Sequence, residues 1–228
     1  LDWRTSPVDL SFLNAAEKPA GKRGFVKAVG DQLMFADNTP IRFWGTNLSA
    51  YSLFKSPDDE IRQQAKRLSA LGFNLVRLHH HDSPWVSPNV FGDGTLVRDT
   101  QQLSTESLRK LDLWIKSLKD EGIYIWLDMH VQRAFTANDN IEDFKELPEK
   151  DGRVDLKGYA YVNDSIQQAM KRFAEQYLTH VNEYTGLAYK DDPAIAAVLI
   201  TNENDLTQHY GNALMPNKDV PRHSERYM

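Results

Sequence analysis

The fold class is indicated most clearly by residues 122–130, Gly122-Ile123-Tyr124-Ile125-Trp126-Leu127-Asp128-Met129-His130. A glycine that ends a helix is followed at once by an apolar run, which is typical of a buried strand in a parallel sheet. Alternation with a period of two places Trp126, Asp128 and His130 on one face of this strand. We expect that face to point to the axis of a barrel and the opposite face to point to the surrounding helices.

The same strand and helix unit recurs on both sides of this stretch. Strands are predicted at residues 41–44, 73–78, 123–127 and 194–200, and helices at about 57–71, 105–121 and 164–184. Gly72 and Gly122 stand directly before strands, whereas the connections from strand to helix are long (79–104, 131–163 and from 201 onward). In a (β/α)8 barrel such long loops form the face that holds the active site.

The sequence therefore predicts an α/β fold in which residues 41–228 form the first four βα units of a (β/α)8 (TIM) barrel. Residues 1–40 are expected to be a lead-in with a small β-hairpin, formed by residues 25–29 and 32–35 around Gly30-Asp31. The first helix is expected to have Ser56 as its N-cap and Pro57 at its first position. The third is expected to bury Val181 near its end.

Composition excludes several classes of function. The chain has a net charge of −5 and no cysteine, so we expect neither a nucleic-acid partner nor thiol catalysis. Its apolar runs are too short to cross a membrane. No glycine-rich phosphate loop follows the first strand, so we do not expect nucleotide binding.

Polar side chains follow three of the predicted strands. Arg77 and His79 come after the second strand, Asp128 and His130 end the third, and Asn202 and Glu203 follow the fourth. Since the carboxyl ends of parallel strands meet at one rim, these groups should converge there. Burying charged groups is costly, so their convergence suggests chemistry, although Asp128 and Arg77 could instead form a purely structural pair.

Four motifs in order resemble a known family. They are Ile41–Asn47, Gly72–Arg77, Leu127–His130, and Asp192–Ile195 leading to Asn202-Glu203. Over about residues 24–205 the chain resembles clan A glycoside hydrolases, and most closely family 5, which includes cellulase-like and mannanase-like enzymes.

This resemblance implies a retaining glycoside hydrolase that cleaves β-linked glycans by double displacement, with no cofactor and no metal. Glu203 matches the catalytic acid/base, and Asn202 matches the residue that bonds the sugar 2-hydroxyl. Arg77 and His130 match residues that line the sugar subsite. His79 and Trp85 are expected to bind substrate, and Tyr51, Phe54 and Phe91 are further candidates for stacking on sugars.

The family's nucleophile is a second glutamate on a later strand. We therefore expect it beyond Met228, so that the remainder of the barrel is a required partner and the 228 residues alone are inactive. The other partner is an oligosaccharide or polysaccharide, and the enzyme is expected to be secreted or periplasmic. Two features depart from the family's pattern, namely Asn204 where proline is usual and the run His79-His80-His81.

Two alternatives remain open at this point. A metal-dependent hydrolase on the same barrel would use His79 and His81 as a His-x-His pair, completed by Asp82, Asp128 or His130. A non-catalytic half barrel that only binds sugar is the other.

Overall fold

The computed structural model describes residues 5–94, 98–147, 149–207, 223, 225 and 226. The strands of this part are β1 (Lys27–Val29), β2 (Gln32–Met34), β3 (Pro40–Ile41), β4 (Gly45–Ser49), β5 (Leu75–His79), β6 (Tyr124–His130), β7 (Ala134–Thr136), β8 (Glu149–Lys150), β9 (Arg153–Asp155) and β10 (Ile195–Thr201). Its α-helices are α1 (Tyr51–Lys55), α2 (Asp58–Ala70), α3 (Thr105–Asp120) and α4 (Asp164–Thr179).

A parallel sheet in the order β10-β6-β5-β4 is the centre of the molecule. Helices α2, α3 and α4 connect its strands along the chain, which confirms the prediction of an α/β fold with a parallel sheet. The buried residues of β6 and of the helices form one apolar cluster, which includes Ile125, Leu127 and Phe173. This cluster holds the carboxyl ends of the strands in a fixed arrangement.

The first strand of the parallel sheet lies further along the chain than predicted. Pro40 and Ile41 pair antiparallel with β2, and β4 begins at Gly45. A Cβ at Gly45 would lie 3.1 Å from the carbonyl oxygen of Leu75, so the close approach to β5 begins where a side chain is lacking. The predicted strand at 41–44 is therefore wrong by about four residues.

Two helix ends also differ from the predictions. Pro57, and not Ser56, is the N-cap of α2, since Ser56 is the C-cap of the short helix α1. Helix α4 ends at Thr179, and Val181 is 55 % exposed in an isolated bridge with Ala188. Its predicted burial is wrong because the chain leaves the helix two residues earlier.

Two small antiparallel sheets accompany the parallel one. Strands β1, β2 and β3 form the first, at the amino-terminal side of the chain. Strands β7, β9 and β8 form the second, within the segment 131–163, where the sequence predicts only a loop. This second sheet has its own apolar cluster, which includes Phe135, Val154 and Ile166 of α4. We call residues 134–155 the insertion sheet.

None of the described helices is long and apolar enough to cross a membrane.

Candidate active site

Four polar side chains meet at the carboxyl ends of β5, β6 and β10. Arg77 Nε donates to both carboxylate oxygens of Asp128 at 3.0 and 2.9 Å, and Arg77 Nη2 donates to Asn202 Oδ1 at 2.8 Å. His79 Nδ1 lies 2.6 Å from Asp128 Oδ2. These contacts bring together Arg77, His79 and Asn202, as predicted from their positions at strand ends.

Asp128 is the centre of this cluster. Its side chain is fully buried, and a buried carboxylate is stable only when its oxygens are paired. Two donors from the same face of β5, two residues apart, supply that pairing. Asp128 thus forms the predicted ion pair with Arg77 and fixes the direction of the guanidinium, which leaves Nη2 free to hold Asn202.

Glu203 follows Asn202 and projects from the edge of the sheet. Its side chain is 74 % exposed, and Lys157 Nζ lies 3.5 Å from Oε2. The Asn202 backbone N–H donates to the His130 carbonyl oxygen at 2.8 Å, which continues the pairing of β10 with β6 up to the residue before Glu203. The side chain of the candidate acid is therefore open to solvent, and the backbone that precedes it is held by the sheet.

The position of His130 corrects the prediction that its side chain faces the barrel axis. It is buried, with its ring 4.8 Å from that of Phe173 in α4. The chain turns at this point because the Asp82 carboxylate accepts hydrogen bonds from the backbone of Val131 and Gln132. Burial lowers the pKa of His130 to about 4, so its ring is neutral near pH 7.

His81 does not share a face with His79. Strand β5 ends at His79, and His80 has a φ of +57°. That left-handed residue interrupts the alternation, and the His81 ring lies buried 5.4 Å from Tyr177. The predicted His-x-His pair of a metal-dependent hydrolase is therefore wrong, and the described residues hold no group of three or more histidine, aspartate or glutamate side chains able to bind a metal ion.

Trp85 is an exposed aromatic side chain in a loop beside this edge. It is 47 % exposed, and its Nε1 donates to Gln132 Oε1 at 2.8 Å. The Tyr51 hydroxyl donates to the Trp85 carbonyl oxygen at 2.7 Å. Phe54 and Phe91 are buried, so the prediction that they could stack on sugars is wrong.

A cavity of about 490 Å³ lies between Trp85 and the insertion sheet. Its lining residues are Pro84, Trp85, Gln132, Ala134, Asp151, Arg153 and Asp155. An aromatic face beside charged and amide groups suits a polar ligand with an apolar face, and a sugar ring has both.

Lys157 and His80 were not identified from the sequence as site residues. Lys157 lies between the insertion sheet and α4, 46 positions from Glu203 in the chain, and no local motif indicates its approach. The His80 ring lies 5.0 Å from that of Trp85, and burial lowers the pKa of His80.

Comparisons with known proteins identify the family of this chain. The model of the family described as Cellulase (glycosyl hydrolase family 5) matches residues 35–191. This match covers more than half of the chain, which therefore belongs to glycosyl hydrolase family 5. A comparison with curated proteins finds no match.

Two solved structures from Rhizomucor miehei have a similar fold. An endo-1,4-beta-mannanase is 22 % identical with a TM-score of 0.56, over 79 % of this chain and 48 % of the mannanase. A glycoside hydrolase family 5 mannosidase is 15 % identical with a TM-score of 0.59, over 79 % of this chain and 49 % of the mannosidase. The chain thus spans about half the length of these structures.

Proposed function

We propose that the protein is a retaining glycoside hydrolase that cleaves β-linked glycans, with Glu203 as its acid/base. The observation that supports this most strongly is the hydrogen bond from Arg77 to Asn202. It fixes the residue before Glu203 at the carboxyl edge of a parallel sheet, where barrel enzymes place their catalytic groups. Membership of glycosyl hydrolase family 5 further supports glycoside hydrolysis as the reaction.

The reaction needs two proton transfers at Glu203. In the first step its carboxylic acid donates a proton to the glycosidic oxygen while the bond from that oxygen to C1 breaks. A carboxylate nucleophile forms a new bond to C1 from the opposite side. In the second step ionised Glu203 takes a proton from water, the water oxygen attacks C1, and the nucleophile leaves with its electron pair.

Asn202 and Trp85 supply the substrate contacts in this proposal. The side-chain Oδ1 of Asn202 accepts from Arg77, which leaves the side-chain NH₂ group directed away from Arg77 and available to a sugar hydroxyl. Trp85 offers an exposed ring to a sugar face. His79 orients Asp128 and lies at the same rim, where it can reach substrate.

The nucleophile is a separate question. Retaining enzymes place their two carboxyl groups about 5–5.5 Å apart. Asp128 is engaged by Arg77 and His79, so we assign it a structural role. We propose that a glutamate outside the described residues is the nucleophile, supplied by the remainder of the barrel.

The outer face of β10 supports that remainder. Val198 and Ile200 are exposed large apolar side chains. With Met170 and Ala174 of α4 they line a cavity of about 380 Å³. A barrel covers this face with a further helix.

The proposed substrates are cellulose-like or mannan-like polysaccharides and their oligosaccharides. Because such polymers are too large to cross a cell membrane unaided, we propose that the enzyme is secreted or periplasmic.

The test uses Glu203→Gln in the full-length protein, with soluble cellulose derivatives and β-mannan as substrates. Proton donation is worth at least about 10²-fold, so hydrolysis of the polysaccharide that the unsubstituted protein cleaves should fall by that factor. The value of kcat/KM for a dinitrophenyl β-glycoside should fall much less, because its leaving group needs no proton. Unchanged polysaccharide hydrolysis by a folded Glu203→Gln protein would remove Glu203 from the mechanism.

A further inference from the structure

The backbone of Glu203 has a conformation that must be held in place. Its φ is +49°, in the left-handed region that residues other than glycine rarely adopt. Such a conformation costs free energy and persists where the surrounding structure determines it, frequently at functional sites. The contacts on either side of Glu203 therefore decide where its carboxyl points.

On the amino-terminal side of Glu203, the central parallel sheet supplies the contacts. Asn202 receives the hydrogen bond from Arg77 through its side chain and donates one to the His130 carbonyl through its backbone. Both partners belong to the central sheet, so this side of Glu203 is fixed by β5 and β6.

On the carboxyl-terminal side, the contacts come from the segment that joins β9 to α4. Asn204 is only 8 % exposed, and its Oδ1 accepts a hydrogen bond from the Gly158 backbone N–H at 2.6 Å. Its carbonyl oxygen accepts from the Tyr161 hydroxyl. Asn204 is also the residue that stands where the family usually has proline, and a proline would lack the side-chain acceptor for Gly158.

The same segment reaches the carboxyl of Glu203. Lys157, with a side chain only 14 % exposed, places its Nζ 3.5 Å from Glu203 Oε2. The Lys157 backbone N–H donates to Asp155 Oδ1 at 2.9 Å, which ties it to the end of β9. An ion pair with one highly exposed partner contributes little stability by itself, but this one comes from the segment that also binds Asn204.

We infer that Asn204 is a positioning residue for Glu203, and that residues 155–161, at the end of the insertion sheet, act through it to set the direction of the acid/base carboxyl. This inference rests on the proposed function. The contacts of Asn204 are with Gly158 and Tyr161, so it acts on Glu203 through the backbone and is assigned no contact with the sugar. Its removal should release the left-handed backbone of Glu203 and move the carboxyl away from the glycosidic oxygen, while the rest of the site stays in place.

The experiment compares Asn204→Ala and Tyr161→Phe in the full-length protein. Asn204→Ala removes the Oδ1 acceptor of Gly158, whereas Tyr161→Phe removes the hydroxyl that bonds the Asn204 backbone carbonyl. The two variants therefore test the two contacts separately, and the loss of one hydroxyl carries little risk to folding. The matched control is Lys145→Met, an exposed residue of a short 3-10 helix within residues 134–155. For each variant, kcat/KM is measured on soluble β-mannan or cellulose derivative and on a dinitrophenyl β-glycoside.

A misplaced proton donor affects the two substrates differently. We expect Asn204→Ala to lower kcat/KM on the polysaccharide at least about 10-fold, a part of the full general-acid contribution, and on the aryl glycoside less than about 3-fold. Tyr161→Phe should show the same split at smaller size, and Lys145→Met should show none. General damage to the fold would lower both values together.

Glu203→Gln, measured in parallel, separates the two proposals. If Glu203→Gln shows no split between the substrates, the proposed function fails. If Glu203→Gln shows the split while Asn204→Ala and Tyr161→Phe lower both values equally or leave both unchanged, the proposed function stands and the positioning role of Asn204 is overturned.

Discussion

Arg77 Nη2 donates a hydrogen bond of 2.8 Å to Asn202 Oδ1, although β5 and β10 are separated in the sheet by β6. The guanidinium reaches across β6 because its Nε donates to Asp128, the buried carboxylate of that strand. Arg77 thus joins three strands through one planar group whose donors point in fixed directions. The hydrogen bond from Arg77 therefore positions Asn202, the residue before Glu203.

Replacing Arg77 should damage stability and activity together. Arg77→Met leaves the Asp128 carboxylate buried with only His79, and removing one member of a buried pair costs about 3 kcal/mol or more. We expect the free energy of unfolding in urea to fall by about that amount and kcat/KM to fall at least about 10-fold. Arg67→Met, on the exposed face of α2, is the control and should change neither. Equal behaviour of the two variants would show that Arg77 does not hold the site.

Replacing Trp85 should weaken substrate binding more than turnover. Trp85→Ala removes an exposed ring whose Nε1 donates to Gln132, and a lost stacking contact is worth about 1 kcal/mol. We expect KM for the polysaccharide to rise about 5- to 10-fold with kcat within about 2-fold. The control Phe12→Ala removes an exposed aromatic residue from a short 3-10 helix that precedes the first strand. An unchanged KM in Trp85→Ala would contradict its role in substrate binding.

Removing metals should leave activity unchanged. His79 is bonded to Asp128 and His81 is packed against Tyr177, so the two rings do not converge on a common ligand. We expect dialysis against a chelator to leave kcat and KM on the polysaccharide as before. A loss of activity that zinc restores would favour the metal-dependent hydrolase instead.

The buried ring of His130 should make stability depend on pH. Burial lowers its pKa to about 4 in the folded state, whereas an unfolded histidine has a pKa of about 6.5. Between these values only the unfolded state binds the proton, so stability falls as the pH falls from about 6.5 to about 4. The full difference is on the order of 3 kcal/mol.

The variant His130→Gln removes this proton-binding group. We expect the free energy of unfolding, measured in urea at about pH 7.5 and about pH 4.5, to fall less with pH in the variant than in the unsubstituted protein. At the higher pH the His130 ring of the unsubstituted protein is neutral in both the folded and the unfolded state, so the difference between the two proteins there measures the lost packing against Phe173. Parallel pH curves for the two proteins would contradict the burial argument.

Alternation along the strands was sufficient to predict the core of the site. It placed Arg77 and His79 on the same face as Asp128, and the parallel order of strands brought Asn202 to the same edge. It failed for His81 and His130, because His80 adopts a left-handed backbone and Asp82 turns the chain at the end of β6. Such local departures depend on tertiary contacts and have no periodic pattern.

The insertion sheet could not be predicted from the sequence for a different reason. Its strands have only two or three residues each, which is too short for a periodic pattern to be recognised. Consequently the sequence does not predict the contacts of Lys157 and Asn204, although Asn204 itself departs from the proline that the family usually has at this position. Sequence pattern thus predicted the sheet and its rim, and missed the segment that meets the rim from outside.

The assignment of Glu203 as acid/base of a retaining enzyme is tested most directly by azide rescue of Glu203→Ala in the full-length protein. Azide is a small anion that can attack the glycosyl-enzyme without a general base, so it bypasses the second task of Glu203. With a dinitrophenyl β-glycoside as substrate, we predict that azide restores turnover and yields a glycosyl azide of β configuration, identified by NMR. A glycosyl azide of α configuration, or turnover that azide does not change in a folded Glu203→Ala protein, would contradict the assignment.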